Sequence, residues 1–270
     1  MRQILHISDV HFGPPHLSEL SAGVLAFIED LEPDLVVISG DLTQRAKPRQ
    51  FQEARQFVDQ IPVRSLVVPG NHDVPLYRVW ERFLNPYGAY RRHFSEELEP
   101  VYRDDELLVV GINTAHGWTF KDGRIRLRRL LEVAQVLEEA PPGVLKVVVA
   151  HHHLIPPPWF GTQRVLTNAY EAMELFTSVG VDLVLSGHLH QSFIGNSEEF
   201  YPQGVAEFRE MMTANRIALP RGVTRDLTPG QVETMVDVSL VLEPLWENAL
   251  GTGWREVATR EKIRSLYARM

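Results

Sequence analysis

The sequence predicts an α/β layered domain, and two features lead to it. Short β-rich apolar runs bounded by Gly or Pro recur from Ile4 to Ser186, and several are separated by stretches whose apolar residues follow helical spacing. Continuous runs of this kind read as strands buried on both faces. A third feature is where the runs end, because five of them lead straight into residues of metal-ligand type. These are Ile4 to Ser8 into Asp9-Val10-His11, Leu35 to Ser39 into Gly40-Asp41, and Ser65 to Pro69 into Gly70-Asn71-His72-Asp73. Leu145 to Ala150 leads into His151-His152-His153, and Val181 to Ser186 into Gly187-His188-Leu189-His190. Ligands of layered α/β folds gather beyond the carboxyl ends of the strands, so the five endings describe one site.

The elements follow in order. After the first strand, His11 to Leu17 is a Pro-containing loop, and Ser18 opens a helix with Leu20, Val24, Leu25, Phe27, Ile28 and Leu31 at helical spacing, closed by Pro33. The strand at 35–39 precedes a helix from about Pro48, with Phe51, Ala54, Phe57, Val58 and Ile61 on one face. The strand at 65–69 completes a β-α-β-α-β unit. Leu76 to Tyr102, rich in aromatics and arginine, reads as helical or irregular cover. Leu107 to Ile112 is a strand, Arg126 to Glu139 a helix, and Pro141-Pro142-Gly143 leads into the strand at 144–150. Pro156-Pro157-Pro158 forces an extended loop. A helix near Asn168 to Val179 precedes the last motif strand. Beyond His190 the pattern weakens, and Gln231 to Asn248 allows a helix or a strand followed by a helix.

The chain has 270 residues, 44% hydrophobic and 23% charged, enough for one large domain with a small appendage. A division at 1–195 for the core and 196–270 for a C-terminal segment fits this. The net charge of −8 argues against a nonspecific binder of nucleic acid. Bound divalent cations would locally reverse that sign for an anionic substrate. No apolar stretch reaches membrane-spanning length and no signal-peptide pattern opens the chain, so a cytoplasmic location is the default expectation. Without cysteine, any metal must be held by oxygen and imidazole nitrogen.

Asp9 and His11 can point toward one ion if the backbone turns there, and Asp41 can bridge to a second with its two oxygens. Asn71 offers a carbonyl oxygen, and His151, His188 and His190 offer imidazole nitrogens. Seven ligands over two ions leave positions open for water and substrate, the mark of a catalytic site. Two cations can acidify a bridging water, whose hydroxide would attack phosphorus. His72, beside a ligand, suits the donor role at the oxygens that gain charge, with Asp73 orienting its ring. Glycines 40, 70 and 187 stand where a strand must turn sharply.

The series Asp9-x-His11, Gly40-Asp41, Gly70-Asn71-His72-Asp73, His151 and Gly187-His188-x-His190 resembles the signature of the calcineurin-like metallophosphoesterases, most of all the bacterial class III cyclic-nucleotide phosphodiesterase group. The match in order and spacing runs from residue 1 to about 195. The resemblance implies a four-layer α-β-β-α sandwich of two mixed sheets, with a dinuclear site at the carboxyl edge of the strands. It implies one ion on Asp9, His11, Asp41 and His190, and the other on Asp41, Asn71, His151 and His188. Manganese, iron or zinc would serve, and His72 takes the family's transition-state histidine position. The family's usual His-His-Pro is replaced here by His151-His152-His153-Leu154, which leaves His151 and His152 as rival ligands; His151 comes first off the strand. The short strands that complete the second sheet in relatives have no clear pattern in the tail, and residues 196–270 read as completing the sandwich or as a cap or an element that pairs two copies of the chain.

The function this implies is a metal-dependent phosphodiesterase acting on a cyclic nucleotide or similar small phosphodiester. A pyrophosphohydrolase acting on a UDP-linked lipid is the nearest alternative and would need an apolar cleft from 76–102 or the tail. A nuclease is disfavoured by the acidic balance, and a non-catalytic scaffold of the same fold would have no need of His72. Among secondary candidates, Arg45 lies closest to the bridging carboxylate, Trp159 and Phe160 could form a lid, and His6 reads as a core histidine.

Overall fold

The computed structural model describes residues 2–119, 121–157, 165–190 and 193–196. Its strands are β1 (Ile4–Ile7), β2 (Leu35–Ile38), β3 (Ser65–Val67), β4 (Val101–Arg103), β5 (Leu107–Ile112), β6 (Leu145–Ala150) and β7 (Leu183–Leu185). Its helices are α1 (Ser18–Leu31), α2 (Pro48–Asp59), α3 (Val79–Leu84), α4 (Gly88–His93), α5 (Leu127–Glu138) and α6 (Ala169–Ser178). One sheet runs β1-β2-β3 and the other β4-β5-β6-β7. Among the described residues the pairings of the first sheet are parallel, and the second sheet is mixed through the antiparallel pairing of β4 with β5.

Period-two alternation explains the layering. In β5 the side chains of Leu108, Val110 and Ile112 join a core with Leu130, Val133 and Leu137 of α5 and Ala172 and Phe176 of α6. Their alternates Leu107 and Val109 join a second core with Leu35 and Val37 of β2 and Leu66 of β3. The two sheets therefore pack face to face, and α5 and α6 cover the second sheet. Both β1–β2 and β2–β3 are parallel crossovers, and right-handed crossovers place α1 and α2 together on the remaining face of the first sheet. Burial of each core Val, Leu or Ile contributes about 1.5–3 kcal/mol.

Local chemistry sets the helix limits. Pro48 opens α2 where a missing N–H costs nothing, and Phe51, Ala54, Phe57 and Val58 form its buried face. Glu32 ends α1 in the left-handed region, its N–H bonded to the Ile28 carbonyl. The expected cover at 76–102 holds α3 and α4, but its last residues add the edge strand β4. Three residues are too few to show a period, and only their backbone ladder to Leu108–Val110 defines it. Residues up to His188, with Gly195 and Asn196, belong to one compact unit, while Leu189–Ile194 belongs to a second. The expected lid residues Trp159 and Phe160 and the segment 197–270 lie outside the described residues. Among the described residues no helix is long and apolar enough to cross a membrane.

Tyr90 of α4 is fully buried between Phe51 and Phe94, with ring centroids 5.6 and 5.0 Å away, and its hydroxyl has no partner among the described residues. A buried, unpaired hydroxyl costs stability, so Tyr90→Phe is expected to stabilise the fold by about 1 kcal/mol. Urea denaturation of the two proteins checks it, and a lower midpoint for the variant would contradict it.

Candidate metal centre

The ladder between strands continues past their ends and delivers the motif side chains to one place. Asp9 N–H donates to the Gly40 carbonyl at 3.1 Å and His11 N–H to the Asp41 carbonyl at 2.9 Å, which sets the loops after β1 and β2 side by side. Gly187 N–H donates to the His151 carbonyl at 3.0 Å, doing the same for β6 and β7. His188 N–H then reaches Asp9 Oδ2 at 3.0 Å, joining the carboxyl edges of the two sheets. Asp9, His11, Asp41 and His188 all have positive φ, from 52° to 78°. Such backbone costs about 1–3 kcal/mol per residue and persists only where the surroundings enforce it, as at functional sites. Two glycines make the approach feasible. A Cβ on Gly70 would stand 2.1 Å from Asp41 Oδ1, and one on Gly187 would stand 1.8 Å from Ser8 Oγ and 2.7 Å from Asp9 Oδ2.

Asp41 lies at the middle. Its Oδ2 is 3.4 Å from His151 Nε2 and 3.8 Å from His11 Nε2, and His11 Nε2 is 3.9 Å from Asp9 Oδ1. On the other side, His151 Nε2 is 3.0 Å from Asn71 Oδ1 and 3.2 Å from His188 Nδ1. Atoms bound to one cation at about 2.0–2.2 Å lie about 3 Å from each other, so this spacing suits metal ligation. His151 Nδ1 donates to the Ser39 carbonyl at 2.8 Å, which leaves its Nε2 lone pair facing the cluster.

The electrostatics also call for cations. Burial alone would raise Asp41, yet the charges of His151, His11 and His72 hold its carboxyl well below the usual range. Burial alone would lower His151, yet the Asp41 carboxylate, then Asp9, raises it above the ordinary imidazole range. In the absence of metal a proton supplies the positive charge these buried carboxylates need. His188 is lowered to about 4, first by burial and then by the His151 charge, and is therefore neutral and ready to ligate near pH 7. Oxygen and imidazole donors without thiolate suit manganese, iron or zinc, so the donor set fits two divalent cations.

His152 is placed differently from His151. Its Nδ1 meets Thr114 Oγ1 at 2.7 Å and its Nε2 meets the Lys121 carbonyl at 3.1 Å, so both nitrogens are used in holding loops. Of the two rivals, geometry favours His151. His153 is buried, and burial lowers it to about 4. His6 bonds Ser39 Oγ at 2.8 Å within the sheet. His190 sits in the second unit, and its part in the site remains an expectation of the motif.

Asp73 requires a correction. It was expected to orient the His72 ring, but its carboxylate turns back to accept from Leu42 N, Thr43 N, Gly70 N and Thr43 Oγ1 at 2.8–3.1 Å. It fastens the turn at 70–73 to the loop after β2. Burial, then the Asp41 charge, raises it to about 6. The His72 ring instead meets Gln44, a residue without any motif signal in the sequence. His72 N–H donates to Asp41 Oδ1 at 2.8 Å, and its ring lies edge-on to His11 at 4.8 Å between centroids.

A two-sheet α/β domain with carboxylate and imidazole groups that could hold metal gathered at its carboxyl edge is the class that this geometry defines. Residues 2–192 match the family described as calcineurin-like phosphoesterase, and the chain belongs to that family. It is 31% identical over 180 residues to a probable cyclic nucleotide phosphodiesterase of Synechococcus sp., covering 64% of each chain. It is 34% identical over 80 residues to a glycerophosphodiester phosphodiesterase of Enterobacter lignolyticus, covering 26% of this chain and 29% of that one. The chain thus spans less than two thirds of the length of these relatives. In fold it is similar to a purple acid phosphatase from yellow lupin, with TM-score 0.54 and 16% identity over 70% of this chain and 38% of that one. A dimetal phosphatase from Danio rerio gives TM-score 0.53 at 13% identity, covering 73% and 84%.

Proposed function

We propose that the chain is a metal-dependent phosphodiesterase that hydrolyses a P–O bond of a small phosphodiester, with cyclic nucleotides as the first substrate class. The observation that carries this is Asp41 Oδ2 facing His11 at 3.8 Å and His151 at 3.4 Å, so that one carboxylate serves two ligand sets. We assign Asp9, His11 and Asp41 to one cation and Asp41, Asn71, His151 and His188 to the other. Held by these residues, two divalent cations would acidify bound water and neutralise charge on a phosphoryl oxygen. Two carboxylates against two dications leave a positive excess, which draws an anionic diester despite the chain's overall −8. His72 supplies a proton-transferring group beside the ligands without being one of them. The names of the two curated relatives support the phosphodiester class.

A second reading, cleavage of a UDP-linked lipid, is favoured by the apolar surface that Tyr77, Val79, Trp80 and Leu84 expose in the segment 76–102. We assign residues 1–195 to the catalytic core, with 196–270 completing the sandwich, capping the site or pairing two copies. The test is turnover by metal-reconstituted protein of an aryl phosphodiester, 2′,3′- and 3′,5′-cyclic nucleotides, a phosphomonoester and a UDP-linked lipid. The highest kcat/KM is expected on a cyclic nucleotide. Preference for the lipid would establish the second reading, and no turnover by a fully metallated protein would leave a scaffold.

The ligand choice is tested separately. His151→Ala is expected to lose at least one of two ions by elemental analysis. His152→Ala is expected to keep both and lose about 1–3 kcal/mol of stability through the unpaired Thr114 and Lys121 groups. The reverse pattern would make His152 the ligand.

A further inference from the structure

We infer that Gln44 is a positioning residue that fixes the His72 ring in the tautomer with its proton on Nδ1, an inference that rests on the phosphodiesterase reading. Two acceptors from this one residue meet that nitrogen, the main-chain carbonyl oxygen at 3.1 Å and the side-chain Oε1 at 3.1 Å. A neutral imidazole carries a single N–H, and only its placement on Nδ1 satisfies either oxygen. Arg45 fixes the acceptors in turn. Its Nη1 donates to the Gln44 carbonyl at 2.7 Å and stands 3.5 Å from Oε1. A flipped amide would present its NH2 to a guanidinium, which has no acceptor, so Arg45 selects the orientation with oxygen toward the ring. The same Nη1 is 3.3 Å from His72 Nδ1, and its shorter bond is the one to the carbonyl.

The rest of His72 is held by the same loop. Its N–H is taken by Asp41 Oδ1 at 2.8 Å, and its carbonyl accepts from Thr43 Oγ1 at 3.2 Å. With both main-chain groups anchored, rotation of the ring is the remaining freedom, and Gln44 removes it. A ring nitrogen of His72 lies within 4.8 Å of donor atoms on His11 and Asp41. With Nδ1 protonated, Nε2 keeps a lone pair that can take a proton and return it. The opposite tautomer presents an N–H at Nε2 and cannot accept. Gln44 therefore decides which face of proton transfer His72 offers, and does so with a neutral amide where the neighbouring carboxylate of Asp73 is engaged elsewhere.

The test reads the ring directly by 15N NMR of protein labelled in its histidine ring nitrogens, metal-free and zinc-loaded. His72 signals are assigned by their loss in His72→Gln. The expected wild-type ring is protonated on Nδ1. Gln44→Leu removes Oε1 and leaves the main-chain carbonyl, with Arg45 Nη1 3.3 Å from Nδ1 as a competing donor, so the ring nitrogens are expected to move part of the way toward a mixture of tautomers, with kcat about tenfold lower at unchanged KM and zinc content. Gln44→Glu, which keeps an oxygen there, is expected to restore the single tautomer. A wild-type ring protonated on Nε2, or ring signals unmoved in Gln44→Leu, would overturn the inference. If no diester is turned over but the ring behaves as expected, the positioning role stands and the phosphodiesterase reading falls.

Discussion

Asp41→Ala is expected to bring the metal content from two ions per chain to near zero and to lower turnover by more than about a thousandfold. In the proposed assignment each other candidate ligand serves one cation, whereas Asp41 Oδ2 faces both His11 and His151. Its removal also leaves no carboxylate in the set of Asn71, His151 and His188, and neutral ligands alone hold a hard cation weakly. The expected loss has a second signature. Metal that binds only the folded state stabilises it by about 2.7 kcal/mol at a hundredfold excess over Kd, so added metal should raise the wild-type melting temperature and leave the variant's unchanged. The metal-free variant should fold, since the substitution removes one of three buried carboxylates, Asp9, Asp41 and Asp73, and relieves the repulsion between them. Two ions retained by elemental analysis would end the bridging assignment.

Much of this site was legible because strands buried on both faces leave uninterrupted apolar runs, and the polar residue that breaks such a run marks the carboxyl edge. The runs before Asp9, Asp41, Asn71, His151 and His188 all proved to be strands or their continuations, meeting at that edge. What escaped had no periodic signal. Strand β4 is three residues long and is defined by a ladder to a partner later in the chain. The choice between His151 and His152 depends on where each ring points after the strand, which adjacency in sequence does not encode. Asp73 misled for the same reason: it follows His72, yet a one-turn helix at Asn71–Asp73 swings its carboxylate back to three main-chain N–H groups. Gln44 was invisible because a single amide in a loop carries no pattern, although its place three residues after Asp41 puts it on the loop that grips His72. The left-handed backbone of Asp9, His11, Asp41 and His188 was equally hidden, since none is a glycine.

His72→Ala separates chemistry from metal binding. The main-chain N–H that His72 gives to Asp41 Oδ1 at 2.8 Å survives the substitution, so the bridging carboxylate stays in place. The ring's own bonds go to Gln44, outside the ligand set. Metal content should therefore remain near two ions per chain. On the proposed phosphodiesterase reading, what is lost is a proton-transferring group beside the reacting phosphorus, an expected effect of about 10²–10³-fold on kcat. KM should change little, because the cations rather than His72 provide the charge that binds the diester. A diester with a better leaving group needs less protonation, so the deficit should shrink with an aryl substrate and grow with an alkyl one. A uniform loss across leaving groups would make His72 a binding group for a phosphoryl oxygen rather than a proton donor, and an unchanged kcat would remove it from the reaction.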